Sequence, residues 1–337
     1  MRVFQIEGDW GMDHLKLSQR SEPQAGPGQV LVRMKASSLN YRDLVVPARG
    51  YGNYTGTLPL IPVSDGVGVV CAVGAGVSRV VVGDRVCPTY FQNWVAGEPD
   101  LERLTQSLGG PIDGTMTGIM CLSEQGVVKV PEHLNDSQAA SLPCAALTAW
   151  SALTTGSSTK AGDRVLIQGC GGVALFAVQF AKLLGAHVTV ITSSDERMER
   201  VRQLGADAVI NYRAVPEWAK ATREITAGRG YDLIVELGGE KTLPQSLRCI
   251  RPGGTIAMIG ILSGSAMATS LGHIITRQVR LQGVTVGHRD GFEAMLRAIG
   301  QYKVEPVVDR IFAFEELKEA MAYLQSGVQF GKVCLAH

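Results

Sequence analysis

The sequence predicts an α/β protein in two parts, a β-rich part followed by a doubly wound parallel sheet. Three observations carry that prediction. From about residue 146 onward, short apolar runs alternate with segments whose apolar residues recur at helical spacing, as strand–helix–strand crossovers require. Before that point the apolar runs are short, β-branched and separated by turn residues. Between one apolar run and the next helical segment stands Gly169-Cys170-Gly171-Gly172-Val173-Ala174, the composition of a tight β-α turn.

The elements follow in order. Val30 to Met34 reads as a strand opened by the turn Gly26-Pro27-Gly28-Gln29. Val67 to Val73 is a second strand, which Gly74 and Gly76 turn into a third over Val80 to Val86; Val127 to Pro131 closes this part. Residues 92–114 have loop composition and no period, and read as either a lid or an insertion. In the second part, Val165-Leu166-Ile167 is a strand that runs into the glycine turn, and Val173 to Leu184 is a helix. His187 to Ile191, Val209-Ile210, Leu233 to Val235 and Thr255 to Ile259 are further strands, with a helix over Asp195 to Leu204. The last stretch holds a helix over Phe314 to Leu324 and a strand over Lys332 to Leu335. At ~150 residues per domain, a chain of 337 residues accommodates about two domains.

Composition excludes several classes of function. Lys+Arg is 32 and Asp+Glu 31, a net charge of +1, which lacks the basic field that nucleic acid or an anionic membrane attracts. No run of 18 apolar residues is free of charge, so no membrane span is expected. The first residues, MRVFQIEGDW, contain no apolar stretch of signal-peptide type. The 7 cysteines are scattered, odd in number and never spaced CxxC. They read as buried thiols in a reducing cytosol, so a cytoplasmic protein without a disulfide framework is expected.

The glycine turn points to a dinucleotide. Gly169 permits the sharp turn, Gly171 lets backbone N–H groups reach a pyrophosphate, and Ala174 allows close packing of helix on strand. The helix that begins at Gly172-Val173 adds partial positive charge at its N-terminus. An NAD site wants Asp or Glu at the end of the second strand for the ribose 2′-hydroxyl. Here that strand ends Ile191-Thr192-Ser193-Ser194, and Asp195 falls in the first turn of the next helix, where an acid caps more often than it binds ribose. Ser193 and Ser194 with Arg197 suit a 2′-phosphate, which predicts NADP over NAD; Arg197 is otherwise part of a solvated helix face with Glu196, Glu199 and Arg200.

From end to end the chain resembles the medium-chain dehydrogenase/reductase superfamily, in particular its zinc-free, quinone-oxidoreductase-like members. The resemblance rests on Leu39-Asn40-Tyr41-Arg42-Asp43, on Ile61-Pro62-Val63-Ser64-Asp65-Gly66-Val67-Gly68 and on Val82-Gly83-Asp84-Arg85-Val86. Leu142 to Trp150, Asn211-Tyr212, Arg251-Pro252-Gly253-Gly254 and Phe330-Gly331-Lys332-Val333 continue it in the same order. It implies a GroES-like β-domain over 1–145, a Rossmann NADP-binding domain over 146–285 and a return to the first domain over 286–337. It further implies cofactor contacts from Gly171, Gly172 and Val173 at the pyrophosphate, with Lys332 reaching the same phosphates and Tyr212 stacked near the adenosine. Gly238, Gly239, Ile259, Gly260 and Ile261 would face the cofactor crevice, the last three near the carboxamide. Arg280 to Val286 resembles an edge strand that pairs across a two-fold axis, which implies a homodimer.

The zinc alcohol dehydrogenases of that superfamily hold catalytic zinc with Cys, His and Cys, and the matching positions here are Asn40, Ser64 and Cys144. Asn and Ser are poor zinc ligands, so no metal is expected, the alternative being a remnant held by Cys144 and Asp65, which sits where those enzymes carry a neighbouring Glu. Without a Lewis acid, oxidising an unactivated alcohol loses charge stabilisation, and reduction of an electron-poor acceptor is easier. The expected activity is NADPH-dependent hydride transfer to a small-molecule quinone, α,β-unsaturated carbonyl or activated ketone. Tyr51, Asn40, Tyr41 and Thr148 are candidate groups at the acceptor or nicotinamide, with Asp43 as an organiser of the loop. Tyr51 is otherwise a surface aromatic, and Tyr41 and Thr148 are otherwise packing residues. The alternatives are a non-catalytic NADPH-binding protein and an alcohol dehydrogenase with a nonstandard metal site.

Overall fold

In the computed structural model, which describes residues 1–266 and 271–337, the chain opens with an antiparallel pair, β1 (Arg2–Ile6) and β2 (Leu15–Gln19). Next come β3 (Gln29–Leu39), β4 (Asp65–Val73), β5 (Arg85–Pro88), β6 (Ile119–Ser123) and β7 (Val127–Lys129). The second stretch supplies β8 (Arg164–Gln168), β9 (His187–Thr192), β10 (Ala208–Asn211), β11 (Tyr231–Glu236), β12 (Ile250–Met258) and β13 (Arg280–Gly283). β14 (Val308–Ala313) and β15 (Lys332–Ala336) end the chain. Two compact units result: Met1–Leu147 with Val286–His337, and Thr148–Thr285.

The first unit is a mixed sheet in the order β14-β15-β3-β4-β5-β7, with β6 also paired to β3. Along β3, Val30, Val32 and Met34 alternate inward, as a strand with one covered face requires. From Ser37 to Leu39 both faces are buried, so this end of β3 delivers its next residue, Asn40, among packed neighbours. One core gathers Leu39, Val63, Met116, Leu317 and Val333; a second gathers Val30, Val32, Val86 and Leu122.

The second unit is a parallel sheet in the order β10-β9-β8-β11-β12-β13. Strand order reverses between β8 and β11, the topological switch point where ligands of such sheets bind, outside the carboxyl ends of the strands. The helix Gly172–Leu183 buries Ala174, Phe176, Ala177 and Phe180, and the rings of Phe176 and Phe180 stack at 5.9 Å. Among the described residues no helix is long and apolar enough to cross a membrane.

Three expectations change. Val80 to Val82 is not strand: Asp84 Oδ2 accepts the Val81 N–H at 2.8 Å, Gly83 adopts φ +97°, and the strand begins only at Arg85. The helix expected from Phe314 starts as a 3-10 turn (Phe314–Glu316) and becomes α-helical over Leu317–Gln325. The region 92–114, read as loop, is anchored within the first unit through Trp94, whose ring lies 5.8 Å from Phe91 and 5.5 Å from His288, and carries a short helix, Leu101–Leu104.

Candidate active site

In the second unit the expected nucleotide residues gather at the carboxyl ends of β8, β9 and β10. Gly169 sits at φ +80°, a left-handed conformation that favours glycine, and its N–H reaches Ile191 O at 2.7 Å. Gly171 caps the helix Gly172–Leu183 in extended backbone (φ −77°), which any residue adopts, and a Cβ built there meets no protein atom within 4 Å. Protein packing therefore does not demand a glycine at 171. The glycine leaves the first helical N–H groups open to close approach by a phosphate. The residues present fit a dinucleotide pyrophosphate.

At the end of β9, Arg197 Nη1 lies 3.3 Å from Ser193 Oγ, and Ser194 Oγ accepts the Arg197 N–H at 3.4 Å as the cap of Asp195–Gln203. Ser194, not Asp195, is therefore the cap. Asp195 accepts from Asn211 Nδ2 at 2.9 Å. The Cys170 thiol donates to Thr192 Oγ1 at 3.0 Å; burial raises its pKa, while Arg197 and Arg200 lie close enough to lower it. Arg200 is a second guanidinium on the same helix, one turn past Arg197, and its charge reaches the Cys170 thiol. It was missed because it alternates with Glu196 and Glu199 in sequence, yet its i+3 spacing from Arg197 was the available signal. The Tyr212 N–H bonds Thr192 O at 2.9 Å, and its ring is partly exposed.

A buried pair organises the neighbouring strand ends. Gln168 Nε2 donates to Glu236 Oε2 at 2.6 Å, and Gln168 Oε1 accepts from the Leu237 and Gly238 N–H groups, each at 3.1 Å. Glu236 Oε1 accepts from Gly238 N (3.1 Å), Gly239 N (3.0 Å) and the Thr242 hydroxyl. Sequence reading missed both residues; a polar side chain ending each of two apolar strands was the signal. Gly238 and Gly260 are fixed by crowding, since a Cβ would meet Thr242 Oγ1 at 2.3 Å and Leu237 O at 2.1 Å; Gly239 is at φ +89°. The N–H groups of Ile259 and Gly260 both bond Glu236 O, and Ile261 is exposed. Thr148 is buried on the helix Leu147–Leu153.

In the first unit β15 pairs antiparallel with β3 so that Val333 faces Leu39, while β4 on the other side sets Asp65 against Ser38. Asn40 therefore lies between Lys332 and Ser64-Asp65. Lys332 is 3% exposed; its Nζ donates to Leu39 O at 2.7 Å and Asn40 Oδ1 at 2.6 Å, and stands 4.0 Å from Asp65 Oδ2. Asn40 Nδ2 is 3.4 Å from Ser64 Oγ, which donates to Asp65 Oδ1 at 2.8 Å, and the Cys144 N–H donates to Asp65 Oδ2 at 3.0 Å. Burial pushes the Asp65 carboxyl up, opposed by Lys332, Asn40, Ser64 and the Cys144 amide. Burial also raises the Cys144 thiol, and Asp65 raises it further, which disfavours a thiolate.

Asp43 Oδ2 accepts the Asn40 N–H at 2.8 Å and organises the start of the helix Tyr41–Val45. Burial lifts its carboxyl to about 6, against the pull of Arg42, whose Nη1 is 3.5 Å away. Arg42 donates to Leu108 O and Gly110 O, each at 2.9 Å, and lies 5.0 Å from the Tyr90 ring centroid. Tyr51 is 45% exposed and electrostatically coupled to Arg42, Asp43 and Cys144; burial raises its pKa and Arg42 opposes that, so the phenol keeps its proton at neutral pH. Tyr41, at 53% exposure, is not a core residue. Among the described residues no group of three or more His, Cys, Asp or Glu side chains is placed to hold a metal. At Asn40, Ser64 and Cys144 the donor set does not fit zinc: an amide and a hydroxyl fill two of the three positions, and Asp65, the remaining ligand type, accepts from Ser64 and the Cys144 amide and faces the Lys332 ammonium at 4.0 Å.

The family model described as alcohol dehydrogenase GroES-like domain matches residues 26–132, and the one described as zinc-binding dehydrogenase matches residues 172–301. A zinc-type alcohol dehydrogenase-like protein of Schizosaccharomyces pombe (strain 972 / ATCC 24843) is 41% identical over 332 residues, covering 96% of each chain. A solved NAD-dependent alcohol dehydrogenase superposes with a TM-score of 0.91 at 31% identity, over 100% of both chains. The crotonyl-CoA carboxylase/reductase AntE in complex with NADP superposes with a TM-score of 0.88 at 26% identity, over 100% of this chain and 94% of that one.

Proposed function

Because the chain belongs to the medium-chain dehydrogenase/reductase superfamily, we propose that it is a zinc-independent, NADPH-dependent reductase of an activated acceptor. The acceptor is a quinone, an α,β-unsaturated carbonyl or an activated ketone. One observation carries the reading: Asn40 and Ser64 offer only an amide and a hydroxyl beside Cys144 and Asp65, and the buried Lys332 ammonium, bonded to Asn40, stands 4.0 Å from Asp65 where a cation would have to sit. Alcohol oxidation that depends on a Lewis acid has no support from such a set, whereas an electron-poor acceptor needs only hydrogen-bond donors for its oxygen.

When bound, the reduced nicotinamide supplies the hydride. The N–H groups at Gly171, Gly172 and Val173 hold the pyrophosphate; Ser193, Ser194 and Arg197, with Arg200 near, hold the 2′-phosphate; Tyr212 packs beside the adenosine. The 2′-phosphate reading draws on Asp195 being engaged by Asn211 rather than placed as a free acid at the end of β9. Thr148 serves the nicotinamide side, and the backbone at Ile259 to Ile261 serves its carboxamide. Asn40 Nδ2 and Tyr51 Oη donate to the acceptor oxygen as negative charge builds on it, and Tyr51 delivers the proton. Asp43 keeps the Asn40 backbone in place. The edge strand β13, exposed along its length, serves a homodimer in this reading.

A panel of quinones, enones and ketones tests the proposal by the loss of NADPH absorbance. Turnover with at least one acceptor class, faster with NADPH than with NADH, is expected. A folded protein idle with every acceptor refutes it.

A further inference from the structure

The polar ring around Asn40 has a fixed direction. Asp65 accepts on both oxygens, from the Ser64 hydroxyl at 2.8 Å and the Cys144 N–H at 3.0 Å. The Ser64 proton is thereby committed, and Ser64 Oγ receives Asn40 Nδ2. Asn40 Oδ1 must then face Lys332, whose Nζ is 2.6 Å away; the opposite rotamer would set an amide NH2 against an ammonium. The second Lys332 bond, to Leu39 O, pins the ammonium to the strand that delivers Asn40.

We propose that Lys332 is a positioning residue of the acceptor site: its ammonium locks and polarises the Asn40 carboxamide, so that Nδ2 is presented as a donor. The inference rests on the acceptor reading above and departs from the phosphate-binding role that family resemblance gives Lys332. The Asn40–Ser64 contact, at 3.4 Å, is at the long end of hydrogen bonding, so an acceptor oxygen gaining negative charge displaces it favourably. A neighbouring ammonium strengthens that donor by polarising the amide.

Two quantities separate the roles: the NADPH dissociation constant from a fluorescence titration, and kcat with a working acceptor at saturating NADPH. Lys332→Met is expected to lower kcat about 10–100-fold while the NADPH constant moves less than about threefold. Asn40→Leu should lose about as much, and the double variant little more than either single one, because the two act as one unit. A weakening of NADPH by about tenfold or more with kcat kept overturns the inference and makes Lys332 a phosphate ligand. Additive losses in the double variant, or an unchanged kcat in Lys332→Met, overturn it too. If Lys332→Met fails to fold, Asn40→Asp carries the test: it keeps an oxygen for Lys332 but removes the Nδ2 donor, and a full kcat overturns the inference. A wild-type protein idle with every acceptor removes the acceptor reading and this inference together. An active wild type with undamaged variants removes only this one.

Discussion

Arg197→Ala should separate the two nicotinamide dinucleotides. The guanidinium is half-buried at the end of β9, 3.3 Å from Ser193 Oγ and on the helix that Ser194 caps. A hydrogen bond from it to a 2′-phosphate is worth about 1.5–3 kcal/mol. Arg200, one turn on, remains to share the charge, so the lower part of that range applies. About 1.5–2 kcal/mol corresponds to a loss of about 10–30-fold in NADPH affinity. NADH lacks the 2′-phosphate and should shift less than about twofold. Removing Arg200 as well should enlarge the NADPH loss and flatten its salt dependence, since fewer charges then meet the phosphate. Calorimetric titration of both nucleotides against each variant measures this. Equal losses for NADPH and NADH, or a wild type that binds NADH more tightly, would refute the 2′-phosphate assignment.

Gly171→Val should leave the protein folded at a cost of about 0.5–2 kcal/mol by denaturant unfolding, because its Cβ meets no protein atom and its backbone is extended, while the N-cap prefers glycine to valine. The same variant should abolish nucleotide binding; retained binding would show that nothing approaches this turn. Asp43, lifted by burial to about 6 from 3.8, holds its proton more tightly folded than unfolded. Its contribution thus stabilises the fold below about pH 4 and is lost as pH rises through about 6. Relative to Asp43→Asn, the wild type should lose about 1 kcal/mol of unfolding free energy between pH 5 and pH 7, and parallel profiles would contradict a raised carboxyl. Tyr51→Phe should lower kcat about 10–100-fold with the NADPH constant unchanged, and an unchanged kcat would remove the phenol as donor.

Local features were legible in the sequence. The glycine turn, its flanking strand and the helix that follows are specified by residues within about one turn of each other, so Gly169, Gly171 and the start at Gly172 could be read directly. Ser193 and Arg197 share one helix start and were legible for the same reason. The Val80 to Val82 run misled because a single side-chain bond from Asp84 outweighs β-propensity over so short a stretch. The partners of Lys332 were not legible, since only the β3–β15 register brings it to a residue 292 positions away. Arg42 illustrates the same point: its bonds to Leu108 and Gly110 and its approach to Tyr90 come from a loop with no periodic signal. Resemblance located both Asn40 and Lys332 but could not orient either one.

Turnover of an enone or quinone by chelator-stripped protein, with metal content and NADPH consumption measured on the same sample, bears on the whole account. Rates unchanged by stripping, with no stoichiometric metal present, are what the Asn40, Ser64 and Cys144 donor set with the Lys332 ammonium beside it predicts. One tightly held zinc per chain, with activity lost on its removal and restored on its return, would contradict it.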